Sequence, residues 1–117
     1  SLLTTACNML GSCPLQCQVL EAQENSDPDA LVTRAHILLH ELDRGQGVLI
    51  LTDMYGATPS NVARKLQGKH IASVSGINLP MLVRVLNYNS LSLEDLAEKA
   101  QSGGKEGVIY GHDKKNA

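Results

Sequence analysis

The chain contains no phenylalanine and no tryptophan, and its aromatic residues are three tyrosines. Its interior must therefore be aliphatic, and platforms for stacking nucleic-acid bases are scarce. A basic excess is missing too. Ten Lys and Arg stand against 12 Asp and Glu, a formal charge of -2, and the isoelectric point lies near 6.0. That leaves no electrostatic footprint for DNA or RNA. No apolar run approaches the roughly 18 residues of a membrane span. No secretory signal is visible in a chain that starts at Ser1. Cysteine is sparse and odd in number, at Cys7, Cys13 and Cys17. This usage predicts no disulfide framework and fits a reducing cytoplasm.

What is present suits one domain of 117 residues, 43% of them hydrophobic. The stretch Gly47–Asn61, GVLILTDMYGATPSN, organises it. Val48–Leu51 is an unbroken apolar run, the pattern of a strand buried on both faces of a parallel sheet. Asp53 follows, then a loop of small residues. Thr58-Pro59 reads as a helix start, with a hydroxyl N-cap and proline at the first helical position. A carboxylate thus stands at the C-terminal end of a buried strand, just before a helix N-terminus. In open α/β sheets ligands bind there, and the helix end favours phosphate oxygens.

Taken in order, Leu2, Leu3, Ala6, Cys7 and Leu10 describe one helical face, closed by Gly11. Gln16–Ala22 reads as a strand. Glu24–Asp27 is a polar loop, and Asp27-Pro28 starts a helix that carries Leu31, Ala35, Leu38, Leu39 and Leu42 inward. The central strand follows, then a helix from Pro59 to about Gln67. His70–Ser75 is a third strand. Gly76-Ile77-Asn78-Leu79-Pro80 makes a second strand-end loop leading into a helix. Ser92 resembles the start of a capping box, and Gly103-Gly104 are expected to end the helix it opens. Val108–Tyr110 reads as a last strand, and His112–Ala117 as a polar tail. Helices alternate with strands, so the fold class is an α/β layered structure with a mostly parallel sheet. Crossover rules bring the two glycine-containing loops to the same sheet edge.

LTDMYGATPSNVA, followed by SGINLPML, resembles the mannose-type IIA domain of the bacterial phosphoenolpyruvate-dependent sugar phosphotransferase system. LLTTACNMLG matches that family's first helix, so the resemblance spans nearly the whole chain. It implies a three-layer open sheet, mostly parallel, with Val108–Tyr110 as an antiparallel C-terminal strand, exchanged between subunits in some members. It also implies a cytoplasmic homodimer that accepts a phosphoryl group from HPr on a histidine and passes it to a IIB domain, and through IIB serves membrane IIC and IID components. No cofactor, metal or nucleic acid is implied. In the family the phosphorylated histidine follows a first strand, internal to the sheet. That strand and histidine are expected upstream of Ser1. Residues 1–117 are thus read as a single mannose-type IIA domain, N-terminally incomplete by about 15–20 residues. A degenerate or rearranged member is the alternative.

Within this reading Asp53 orients the phosphoacceptor imidazole and stabilises the charge that appears on it. The alternative for Asp53 is a turn or capping aspartate. Gly56, Ala57 and Thr58 would offer backbone N–H groups to phosphoryl oxygens, Thr58 doubling as a cap. Asn78 would brace the loops, and Leu79 and Pro80 would form an apolar rim for a docking protein, unless all are turn residues. His36 and His40, four apart on one helix, read as a solvated face rather than a metal pair. Two other functions compete with sugar transport. One is a regulatory module reporting phosphorylation state. The other is the phosphocarrier subunit of a dihydroxyacetone kinase.

Overall fold

The computed structural model describes residues 1–21, 27–53, 58–66, 68 and 70–111, with backbone alone for 58–60. The elements are α1 (Leu2–Leu10), α2 (Pro28–Leu42), β1 (Val48–Thr52), α3 (Thr58–Lys65), β2 (Ile71–Ser75), α4 (Leu79–Asn87) and α5 (Leu93–Glu106). Local chemistry sets most of their ends. Ser1 caps α1 by accepting from the Thr4 N–H, and Gly11, at φ 79°, closes it. Asp27 caps α2 ahead of Pro28, and Ser92 caps α5 by accepting from the Asp95 N–H. Such side-chain oxygens satisfy donors that the first turn cannot.

β1 and β2 pair in parallel, from Val48 opposite Ile71 to Thr52 opposite Ser75. The α3 crossover joins them, so the loops that follow both strands emerge at one end. β1 alternates as a doubly covered strand should. Leu49 and Leu51 pack towards Met81, Val85 and Ala100 of α4 and α5. Ile50 packs towards Leu31, Ala35, Val62 and Leu66 of α2 and α3. Ala6 and Cys7 of α1 join Leu82 and Leu86 of α4 on the first side. Helices therefore cover both faces of the small sheet. At the sheet's other end a Cβ on Gly47, at φ +91°, would lie 2.6 Å from the His70 carbonyl oxygen. Only glycine serves where Val48 N–H joins that same carbonyl.

Four expectations change. Residues 16–21 form no strand, and Ala22 lies outside the described residues. A strand needs a ladder partner, and between this segment and β1 the structure is open. Cavities of about 530 Å3 and about 430 Å3 border β1 on its two faces, and Gln18, Leu20, Leu49 and Leu51 line both. Val48–Leu51 are accordingly only half-buried. Among the described residues the sheet has two strands.

Gly103 and Gly104 do not end α5, which continues to Glu106 and is capped by Gly107. Packing outweighs the helix cost of about 1 kcal/mol per glycine. A Cβ on Gly103 would stand 2.9 Å from the Arg84 side chain, and one on Gly104 2.8 Å from Met81. The two glycines let α4 approach closely. Val108–Tyr110 accordingly follow a longer helix and enter no ladder. They are 77%, 82% and 85% exposed.

Cys7 and Cys13 form a disulfide, with Cα atoms 5.0 Å apart. Gly11 turns the chain back sharply enough to bring them together. This pairing removes the argument from cysteine usage to a reducing compartment. Cys17 remains a free thiol, pushed above its ordinary pKa by desolvation of the sulfur. No helix among the described residues is long and apolar enough to cross a membrane.

Candidate functional site

Asp53 directly follows β1 and is exposed. Its backbone is held from the neighbouring strand. The Thr52 carbonyl accepts two hydrogen bonds, from Gly76 N–H and Ile77 N–H, each 2.9 Å. Thr52 is itself buried, and its hydroxyl donates to that of Ser75 at 3.1 Å. Gly76 has φ +90°, and a Cβ there would meet the Asp53 carbonyl at 4.0 Å. The two strand-end loops are thereby joined, as their sequence positions predict.

Asn78 opens α4 with both ends of its amide engaged. Its Oδ1 accepts from Met81 N–H at 3.0 Å, and its Nδ2 donates to the Gly104 carbonyl at 3.0 Å. It thus ties the start of α4 to the far end of α5. Leu79 is half-buried against the cluster of Ala6, Cys7, Leu82 and Leu86. Pro80 lies against Gly107, where a Cβ would collide with its ring. All three therefore belong to α4 or its cap.

Thr58 is the first residue of α3, whose first turn holds no acidic side chain. Repulsion of an anion is therefore absent from that turn, and the helix dipole favours one. Gly56 and Ala57 lie outside the described residues, as do Gln67, where α3 was expected to end, and the tail from His112. The structure brings Asp53 beside the Gly76–Asn78 loop. It does not bring the described histidines there. His70 precedes β2, so the length of that strand separates it from Asp53. His36 and His40 are exposed on α2, and His40 lies in its last turn.

Sequence reading passed over Thr52 and Ser75. Their signal is two hydroxyl residues, each at the end of a strand and next to a loop of interest. Asp43 was also passed over. Its carboxylate accepts from Gly45 N–H at 2.8 Å and Gly47 N–H at 3.1 Å. These bonds, with smaller contributions from His70 and His40, hold its pKa below the ordinary value.

A family profile described as PTS system fructose IIA component, EIIA-man, matches residues 1–101. The chain belongs to the mannose-type IIA family of the phosphotransferase system. The mannose-specific EIIAB component of Escherichia coli K12 is 33% identical over 84 residues, covering 68% of this IIA chain and 26% of that protein. The fructose-specific EIIA component of Bacillus subtilis is 33% identical over 69 residues, 56% of this chain and 47% of that one. The IIA chain thus spans from about a quarter to about half of these two relatives. Its fold is that of the mannose/sorbose-specific IIA subunit from Enterococcus faecalis, with a TM-score of 0.82 at 20% identity. That match covers 95% of this chain and 84% of the other.

Proposed function

We propose that this IIA chain is the phosphocarrier part of a sugar phosphotransferase system. It takes a phosphoryl group from phospho-HPr on a histidine and gives it to a IIB domain in the cytoplasm. The observation that carries this reading is Asp53, a carboxylate at a parallel strand's C-terminal end, fastened to a second loop by the Thr52 carbonyl. In each transfer the attacking imidazole nitrogen forms a new N–P bond as the N–P bond to the donor breaks. The donor imidazole keeps the electron pair. Asp53 accepts the N–H of the IIA histidine's other nitrogen, fixing that ring's tautomer and offsetting its charge while it receives and then gives up the phosphoryl group. Gly56, Ala57 and Thr58 supply N–H groups to the phosphoryl oxygens.

The acceptor histidine, on this reading, ends a strand that precedes Ser1 and fills the groove between residues 16–20 and β1. The support is the groove itself, which runs along the edge of β1 that has no strand partner among the described residues, with mainly apolar cavities on both sides. A strand there would pair backbone groups of β1 and cover Leu49 and Leu51. Val108–Tyr110, apolar and exposed, support a homodimer in which that segment finds a strand partner. Asn78 anchors the end of the second loop by holding the start of α4 to α5, and Leu79 and Pro80 border the surface that HPr and IIB approach.

The test mixes phospho-HPr with the product of the complete reading frame, then adds IIB. An acid-labile phosphohistidine that IIB discharges supports the proposal; an unlabelled protein refutes it. Neighbouring genes for IIB, IIC and IID favour transport. Neighbours encoding only HPr and enzyme I favour regulation, and dihydroxyacetone-kinase subunits favour the third reading.

A further inference from the structure

We propose that Thr52 and Ser75 are positioning residues for the Asp53 carboxylate. The inference rests on the phosphocarrier reading and gives it a device. A peptide group is planar, so fixing the Thr52 carbonyl also fixes the nitrogen and Cα of Asp53. Two N–H donors from the neighbouring loop hold that carbonyl, at 2.9 Å each. A single bond would leave the plane free to rotate about the donor; two restrain it. The donors come from consecutive residues, Gly76 and Ile77, directly after Ser75. Ser75 in turn is held in register opposite Thr52 and receives the Thr52 hydroxyl at 3.1 Å. The hydroxyl bond therefore locks the end of one strand to the start of the loop that holds the other strand's last carbonyl. Thr52 is 7% exposed, a buried polar residue among apolar core side chains. A valine would fill the same space without its hydroxyl. Thr52 is β-branched and hence stiff at χ1, so its hydroxyl points in a defined direction.

The parallel ladder already joins β1 to β2 independently of this hydroxyl pair. The carboxylate has a stricter requirement. Orientation errors near 1 Å reduce transfer rates by up to about a hundredfold. The hydroxyl pair meets that requirement by acting through backbone, without touching the reacting atoms.

The test uses the product of the complete reading frame with phospho-HPr as donor. Thr52→Val and Ser75→Ala should each slow phosphoryl transfer about tenfold at unchanged KM for phospho-HPr. The double variant should be no slower than either single, because the two hydroxyls act as one unit. Thr52→Ser should recover most of the rate. A second readout is the titration of the acceptor imidazole by NMR. A carboxylate beside it raises its pKa, so both variants should lower that pKa towards the ordinary histidine value. Ser75→Ala keeps the test open if Thr52→Val fails to fold. Unchanged rates and an unchanged imidazole titration in a folded variant would overturn the proposal. Asp53→Ala separates the two levels. If Asp53→Ala is slow while the hydroxyl variants are normal, only the positioning claim fails. If Asp53→Ala is itself normal, the reading beneath it fails.

Discussion

Asn78 holds the Gly104 carbonyl at 3.0 Å across the junction of α4 and α5. The same amide caps Met81 N–H. One side chain therefore satisfies a donor at the start of one helix and an acceptor near the end of another. Asn78→Ala removes both bonds and should cost about 1–3 kcal/mol. Asn78→Asp keeps the cap but sets a carboxylate against the Gly104 carbonyl. Denaturant unfolding of the three proteins should rank the native chain above both variants. Equal midpoints would show that the bridge contributes nothing.

Gly47 makes the opposite kind of contact, one that depends on having no side chain. Its φ of +91° and the 2.6 Å approach of a hypothetical Cβ to the His70 oxygen act together. Gly47→Ala should destabilise by about 2–3 kcal/mol. Gly45→Ala is the control. It has a similar φ of +95° with nothing within 4 Å, so it should cost about 1 kcal/mol. Chemical denaturation measures both, and equal losses would mean that the crowding at His70 is not felt.

Asp43 gives the fold an acid-sensitive clasp. The N–H groups of Gly45 and Gly47 lower its pKa, so its carboxylate form is favoured by folding. That contribution is complete above the ordinary aspartate pKa of about 3.9 and is lost as pH falls through the lower folded value. Asp43→Ala should therefore lower Tm at pH 6 and have a smaller effect near pH 2. A Tm difference that grows on acidification would reverse the sign and refute the assignment.

How far the sequence disclosed this molecule depends on the range of the forces involved. α1 was legible because Leu3, Ala6, Cys7 and Leu10 fall on one face and Gly11 stops it locally. β1, β2 and the placing of Asp53 were legible because an apolar run, a turn and a cap succeed one another in sequence. The fate of residues 16–21 was not, since a strand is defined by a neighbour. The length of α5 was hidden because Gly103 and Gly104 look like breakers until Arg84 and Met81 are brought against them. The Cys7–Cys13 bridge depends on how tightly Gly11 turns the chain. The Thr52–Ser75 bond depends on the register of two strands, which spacing alone leaves open.

The central claim is that Asp53 steadies an imidazole during phosphoryl transfer. Its most direct measurement is the rate at which phospho-HPr labels the product of the complete reading frame, with and without Asp53→Ala. Because Asp53 is exposed, the variant should retain its fold by circular dichroism. The account predicts labelling of one histidine, slowed about a hundredfold or more in the variant. Labelling at the native rate by a folded Asp53→Ala protein would contradict it.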